Sequence, residues 1–175
     1  MMSSRLVSVS GSALDAGGLR QALGRFATGV TVITTRAPDG TPLGLTANSF
    51  SAVSLDPPLV LWCLRRHAPS LAQFHAAGRF AVNVLSADQD AVARRFATRG
   101  DDKFAGVPHA PGLGDCPLIA GCLATFECEV DATPEGGDHV IFIGRVMRAA
   151  YRDGEPLVFS AGRYRRLADD AGEPD

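Results

Sequence analysis

The chain has 175 residues, of which 46% are hydrophobic and 21% charged, and its formal net charge is −2. This length suits one domain, with a core large enough to fold without a disulfide or a metal ion. The slightly negative charge argues against nucleic-acid binding, because domains that bind nucleic acids usually carry an excess of Lys and Arg. No apolar run approaches the roughly 20 residues of a membrane-spanning helix, so we expect no membrane segment.

Cysteine and histidine spacing gives no sign of a metal site. The four cysteines form no Cys-x-x-Cys pair, and the four histidines have no ligand-like spacing. Because thiols stay reduced in the cytoplasm, we expect free, mostly buried cysteines in a cytoplasmic protein. The apolar patch near the start, residues 6–9, is too short for a signal peptide.

The two ends of the chain differ in composition from its middle. Residues 1–17 are rich in Ser, Gly and Ala and predict a disordered N-terminal tail, while residues 168–175 form an acidic C-terminal tail. We therefore expect a single folded domain over residues 18–167.

The first half of the domain alternates short helices with strands. Leu19, Leu23 and Phe26 share one helical face, and Gly29 is placed to end that helix. A β-branched run predicts a strand over 30–35. Later apolar runs and caps predict the following elements: a hairpin back through 42–46, a strand over 59–64, a helix over 68–78, a strand over 80–85, and a second helix capped by Ser86 or Asp88 with Val92 and Phe96 facing inward.

The second half consists mostly of strands. Residues 99–117, rich in Gly, Pro, Asp and His, predict a long loop. Polar and apolar residues alternate over 122–131, as in a half-exposed antiparallel strand, and 157–159 is the last strand. The run 140–146 is apolar on both faces, which indicates that a partner subunit covers one of them. About six or seven strands favour a mainly β fold, an antiparallel Greek-key barrel, over a doubly wound parallel sheet.

Residues 44–58 hold a dense group of small polar side chains. Thr46, Asn48 and Ser49 carry hydrogen-bonding groups on short stems, which suit a flat ligand with a polar edge. Pro57 and Pro58 have no N–H for a strand ladder and are expected to stop local pairing. The same composition also fits a strand or turn without a ligand, so the pattern alone leaves both interpretations open.

Two further segments carry groups suited to binding. Basic residues cluster over 94–103, where they either bind a phosphate or form a solvated helix end. His139 follows a Gly-Asp turn and has two interpretations. It either hydrogen-bonds a carboxamide or shuttles a proton in a site, or it is a turn residue whose ring hydrogen-bonds to the backbone. No Gly-x-Gly-x-x-Gly motif, phosphate-binding loop or Gly-x-Ser-x-Gly elbow is present, which argues against a Rossmann domain and against acyl-enzyme chemistry.

Six short segments follow one another in a recognisable order: 26–30 (FATGV), 44–50 (GLTANSF), 54–58 (SLDPP), 79–85 (RFAVNVL), 102–106 (DKFAG) and 137–139 (GDH). With these segments the chain resembles the short-chain flavin reductases, the reductase components of two-component flavin-dependent monooxygenases. The resemblance covers roughly residues 19–167. It implies an FMN-binding split barrel that forms a homodimer, with the flavin near the subunit interface.

The resemblance also implies roles for residues at matching positions, with the choice of phosphate-binding arginine left open. The implied flavin-binding residues are Thr46, Ala47, Asn48 and Ser49 at the polar ring edge, Ser51 and Ser70 near the ribityl chain or phosphate, Cys63 and Leu64 with backbone near the ring, and Arg95 and Lys103 at the phosphate. His139 would stand on the nicotinamide side as the catalytic candidate, and Tyr164 near the pocket.

We therefore predict an NAD(P)H-dependent flavin reductase, in which hydride passes from the nicotinamide to FMN or FAD and the reduced flavin serves a partner monooxygenase. The amide and hydroxyl groups of residues 44–58 agree with this reaction, because hydride transfer needs hydrogen-bond donors near the flavin ring rather than carboxylates. NADH is favoured over NADPH, since no arginine cluster for a 2′-phosphate stands out. The alternatives are a non-catalytic flavin-binding carrier or sensor, and a purely structural dimeric barrel.

Overall fold

The structure, a computed structural model, describes residues 16–100 and 102–168 of the chain. Within these ranges the α-helices are α1 (Ala16–Leu23), α2 (Leu71–Ala77) and α3 (Asp90–Ala97), and one 3₁₀ turn spans Leu113–Asp115. The strands are β1 (Thr28–Gly29), β2 (Thr31–Arg36), β3 (Pro42–Ala47), β4 (Ser51–Leu55), β5 (Pro58–Arg65), β6 (Arg79–Val84), β7 (His109–Pro111), β8 (Pro117–Ile119), β9 (Ala124–Ala132), β10 (Glu135–Gly136), β11 (His139–Tyr151), β12 (Val158–Ser160) and β13 (Arg163–Arg165).

One antiparallel sheet of eight strands dominates the fold. Seven of them lie in the order β3-β2-β6-β9-β11-β5-β4, and β10 pairs with β11 beside this row. Ala47 of β3 and Val60 of β5 come from distant parts of the row yet share one buried core, so the sheet wraps around that core. The paired strands of the described residues are antiparallel. The predicted mainly β, antiparallel barrel is confirmed.

Aromatic side chains fill the centre of this core. Trp62 of β5 stacks on Phe142 of β11 with ring centroids 4.7 Å apart. Phe74 of α2 and Phe80 of β6 meet the same indole edge-on, at 5.1 and 5.8 Å. Because buried aromatic rings contribute large apolar areas, this group holds α2 and three strands together.

A second core lies beneath α3. Ile33 of β2 belongs to the first core and Val32 to the second, as the period of two along a strand requires. Phe96 of α3 fills the second core beside Leu85 and Leu157. Helix α3 is therefore fixed against one side of the barrel.

The N-terminal helix differs from its prediction at both ends. It begins at Ala16, inside the segment predicted to be disordered. The rest of that segment, residues 1–15, lies outside the described residues, and so do residues 169–175 of the predicted acidic tail. It ends at Leu23, and Gly29 belongs to β1 instead of the helix end. The predicted apolar stripe is exposed: Leu19, Leu23 and Phe26. That stripe is not buried within this chain.

Several strands occur where the sequence pattern does not predict them. Leu55 pairs with Pro58, so the tandem proline forms the turn of the β4–β5 hairpin and does not stop pairing. A proline is tolerated there because the first residue of a strand need not donate a ladder hydrogen bond. The predicted loop over 99–117 contains β7, which pairs with β8. Likewise β13, which pairs with β12, is not apparent in the sequence.

The other predicted helices and strands are present, with local differences. Helix α3 has Gln89 at its N-cap, because Ser86 is engaged in a β-bridge with Pro156. Glu127, in the strand predicted to be half-exposed over 122–131, is buried, and its carboxylate accepts a hydrogen bond from the backbone N–H of Leu113. Long-range contacts therefore decide where these polar residues lie.

Candidate functional site

A cavity of about 660 Å³, here the main cavity, opens where β3 and β5 end beside the end of α3. Its described lining residues are Leu45, Thr46, Ala47, Asn48, Ser49, Cys63, Leu64, Arg65, His67, Ala68, Pro69, Ser70, Phe96, Ala97, Thr98, Arg99, Lys103 and His139. These include basic side chains and no carboxylate, so the cavity suits an anionic ligand. Its volume lies within the range of about 300–1,000 Å³ that is typical of cofactor pockets.

Gly44 of β3 lets helix α3 lie directly on the strand. A Cβ atom here would lie 2.6 Å from Cε1 of Phe96, closer than carbon atoms pack. Thr46 Oγ1 donates a hydrogen bond of 2.6 Å to the carbonyl oxygen of Ala93. Lys103 Nζ donates one of 3.1 Å to the carbonyl oxygen of Phe96. These contacts hold the C-terminal end of α3 at the rim of the main cavity.

The polar segment uses most of its hydroxyl groups within the protein. Thr46 bonds to α3 as described, and Ser49 Oγ accepts a hydrogen bond of 2.9 Å from the backbone N–H of Cys63. Ser51 Oγ donates to the carbonyl oxygen of Ala52 and lies outside the lining of the main cavity. The carboxamide of Asn48 is exposed and makes no hydrogen bond to the described residues. Asn48 is therefore the side chain of this segment that is available to a ligand.

The cations at the cavity differ in part from those implied by the resemblance. Lys103 and Arg99 line the cavity. Arg95 does not, because its guanidinium donates to the carbonyl oxygen of Ala105. Burial lowers the pKa of Lys103, whose ammonium also contacts the carbonyl oxygen of Gly44 at 3.4 Å. The geometry favours Arg99 over Arg95 as the arginine that faces a bound anion.

His139 stands at the rim, on the first residue of β11. Its Nδ1 lies 2.7 Å from Oδ1 of Asp138, and this histidine lowers the pKa of the Asp138 carboxyl. Arg65, opposite His139 in the β5–β11 ladder, lines the same cavity. With Nδ1 held by the carboxylate, Nε2 is the imidazole nitrogen left for a ligand.

All but three of the residues implied by the resemblance line the main cavity, the exceptions being Ser51, Arg95 and Tyr164. Tyr164 lies beside a separate cleft. Arg99 belongs to the basic cluster predicted over 94–103, whereas sequence reasoning did not identify these lining residues: Leu45, Arg65, His67, Ala68, Pro69, Phe96, Ala97 and Thr98. Of these, His67, Ala68 and Thr98 lie within three residues after the end of β5 or α3, and that position is the signal that points to them.

The cysteines are free, as predicted. Burial raises the pKa of Cys122 to about 11 and that of Cys128 to about 12, and it also raises the pKa of Cys63 and Cys116. A thiol is a nucleophile only as its thiolate, so these side chains are poor nucleophiles near neutral pH.

Residues 16–100 and 102–168 contain neither a metal-binding cluster nor a helix suited to a membrane. No three His, Cys, Asp or Glu side chains gather there in a way that would hold a metal ion. No helix in the same ranges has the length and apolar character to cross a membrane.

The groups around the main cavity match those of a flavin mononucleotide. The flavin ring has a hydrogen-bonding edge and apolar faces, and the phosphate is anionic. Asn48 borders a gap toward Tyr164, whereas Arg99 and Lys103 border a different opening toward Leu43. The Asn48 carboxamide and the two cations thus lie toward different sides of the main cavity. A ligand whose polar ring edge is distant from its phosphate needs this arrangement. This is the class of site expected of a flavin-binding barrel.

Comparison with known proteins identifies the family. Residues 23–168 match the family described as flavin reductase like domain, and the chain belongs to it. An FMN reductase (NADH), SmoA, of Agrobacterium fabrum is 48% identical over 149 residues, covering 85% of this chain and 84% of that protein. The flavin-dependent monooxygenase reductase subunit HsaB of Rhodococcus jostii is 40% identical, covering 95% and 85%.

The fold comparison agrees. The NADH:FAD oxidoreductase SgcE6 of Streptomyces globisporus, solved in complex with NAD and FAD fragments, superposes with a TM-score of 0.87 at 44% identity. The match covers 96% of this chain and 99% of that one. One further relative, 47% identical, is longer, and this chain covers 48% of its length.

Proposed function

We propose that this protein is an NADH-dependent flavin reductase that supplies reduced FMN or FAD to a separate monooxygenase. The observation that carries the proposal is the main cavity, which offers a free carboxamide at Asn48 and cations at Arg99 and Lys103. Relatives named as an NADH-dependent FMN reductase and as a monooxygenase reductase subunit support the choice of reaction and partner.

The residues of the cavity have separate tasks in this proposal. Asn48 hydrogen-bonds the polar edge of the flavin ring, and Arg99 and Lys103 bind its phosphate. His139 contacts the nicotinamide carboxamide through Nε2. The bound flavin supplies the hydride-accepting chemistry, while the protein orients the two rings and needs no general base.

Anaerobic reduction tests the function. Purified protein is mixed with FMN and then with NADH in the absence of air, and the visible flavin absorbance is followed. A reductase bleaches the flavin far faster than NADH alone does. Binding of FMN without faster bleaching would instead identify a carrier or sensor, and the absence of both would leave a structural barrel.

We also propose a homodimer. Leu61 of β5 and Ile143 of β11 face each other on the outer side of the barrel and are only half-buried in one chain. On β4 beside them, Val53 and Leu55 are exposed by 47% and 94%. Exposed apolar side chains of this kind on neighbouring strands indicate a subunit interface.

Charge placed on this surface should separate the subunits. Light scattering is expected to give about twice the chain mass of 18.3 kDa for the wild type, and a monomer for Ile143→Glu, because a buried unpaired carboxylate is costly. Thr41→Glu, in the exposed β2–β3 turn, is the control and should remain dimeric. A wild-type protein of monomer mass would refute the dimer. Far-UV circular dichroism checks that each variant is folded.

We place the protein in the cytoplasm, because free thiols and a nicotinamide donor both belong to a reducing compartment. Cell fractionation with antibody detection would contradict this if the protein appeared in an extracellular or periplasmic fraction.

A further inference from the structure

Arg66 joins the two strands that flank the start of β11, where His139 lies. On one side β11 pairs with β5, with His139 opposite Arg65, and on the other side it pairs with β10, with His139 opposite Gly136. Arg66 directly follows β5, yet its Nη2 donates a hydrogen bond of 2.8 Å to Oε1 of Glu135 on β10. The Arg66 side chain therefore crosses the end of β11, and we call this contact the Arg66–Glu135 bridge.

The same arginine binds the backbone of the turn before His139. Arg66 Nη1 donates a hydrogen bond of 3.3 Å to the carbonyl oxygen of Gly137. The backbone N–H of Arg66 donates one of 3.0 Å to the carbonyl oxygen of Asp138. Asp138 in turn has its Oδ1 2.7 Å from Nδ1 of His139. A continuous series of contacts thus runs from the Arg66 guanidinium to the imidazole at the cavity rim.

The bridge is placed to hold the turn and contributes little to the stability of the fold. The side chains of Arg66 and Glu135 are exposed by 44% and 68%, and water screens an ion pair this exposed. Neither residue lines the main cavity. The turn contains Gly137 with a φ of 65°, and glycine backbone has more conformations to lose than that of other residues. Contacts from outside the turn are therefore needed to fix its shape.

We propose that Arg66 is a positioning residue, which together with Glu135 holds the turn that orients His139 toward the nicotinamide. The inference rests on the proposed function, because it takes the nicotinamide as the group that Nε2 contacts. Without the bridge the turn samples more conformations, and the imidazole is less often in the geometry that the reaction needs. Flavin binding does not depend on this turn, because the groups proposed to bind the flavin lie at the ends of β3 and α3.

Arg66→Ala is expected to lower kcat/KM for NADH by about 10-fold and to leave Kd for FMN at its wild-type value. Glu135→Ala should have a similar effect. Glu135→Gln keeps an oxygen that accepts the hydrogen bond from Arg66, so it should restore most of the loss. Glu129→Ala is the matched control, because it breaks an exposed ion pair of 3.2 Å with Arg79 away from the main cavity, and its kcat/KM should equal that of the wild type.

A His139→Ala background separates positioning from a general structural effect. The reaction needs no general base, so activity in this background remains measurable. If Arg66 acts through the imidazole, Arg66→Ala lowers kcat/KM no further once His139 is absent. A further loss of about 10-fold there, an equal loss in Glu129→Ala, or a raised Kd for FMN in Arg66→Ala would overturn the inference.

Nuclear magnetic resonance gives a measurement that needs no reductase activity. The heteronuclear NOE of the backbone amides of residues 137–139 should fall in Arg66→Ala and stay at the wild-type value in Glu129→Ala. Unchanged values in Arg66→Ala would mean that the bridge does not hold the turn. A wild-type protein that does not oxidise NADH in the presence of FMN would refute the proposed function instead, and the amide measurement would still decide whether Arg66 holds the turn.

Discussion

Replacing Trp62 with alanine is expected to lower the free energy of unfolding by about 3–5 kcal/mol, the usual cost of deleting a large buried aromatic ring. Trp62 is fully buried and contacts aromatic rings from α2, β6 and β11, so its loss leaves a cavity bordered by several elements. Urea unfolding followed by far-UV circular dichroism measures the change. Fluorescence is unsuitable because this is the chain's single tryptophan.

Trp62→Phe separates packing from hydrogen bonding. The indole Nε1 has no hydrogen-bond partner among the described residues, so replacing the indole with a phenyl ring breaks no hydrogen bond. It also keeps an aromatic ring against Phe142 and leaves a smaller cavity, so we expect a clearly smaller loss than for alanine. Tyr151→Ala, at a position exposed by 88%, should change stability by less than about 0.5 kcal/mol. Equal losses for the alanine and phenylalanine variants would contradict this account.

Asn48→Ala is expected to weaken FMN binding or slow flavin reduction by about 10- to 100-fold, the cost of one polar contact worth roughly 1–3 kcal/mol. The side chain is exposed and makes no hydrogen bond within the described protein, so its removal should leave the free energy of unfolding unchanged. An FMN titration and anaerobic reduction by NADH measure the two effects.

Ser51→Ala is the informative comparison. The resemblance implies a contact between Ser51 and the flavin, but its hydroxyl donates to Ala52 outside the main cavity. We therefore expect wild-type FMN affinity for Ser51→Ala. Wild-type affinity and turnover in Asn48→Ala would remove the polar segment from the site, and a loss in Ser51→Ala alone would mean that the flavin lies elsewhere.

Local patterns predict the main strands well and the connecting segments poorly. The β-branched run of β2 and the apolar run of β5 have one stable arrangement, with their apolar faces in a core. The short strands β7 and β13 have no such pattern, because they are held by pairing with β8 and β12. Pairing partners of this kind come from elsewhere in the chain, and a local pattern cannot indicate them.

Within the site, the basic residues over 94–103 were likewise predicted only in part. Cations over 94–103 are visible in the sequence, but the side chain that faces the cavity depends on where α3 ends. The helix ends at Ala97, so Arg99 lies beyond it at the rim, while Arg95 remains on the helix and bonds to Ala105. A helix boundary is set by packing, here of Phe96 against Gly44, and not by propensity alone.

The amino-acid sequence by itself determined the mainly β class, the polar segment around Asn48 and the resemblance to flavin reductases, because these depend on residue order and short-range periodicity. Only the tertiary structure decided which hydroxyls are already bonded and which arginine reaches the main cavity. Those features arise where segments distant in the chain meet, and their positions follow from the closure of the barrel around Trp62 and the docking of α3.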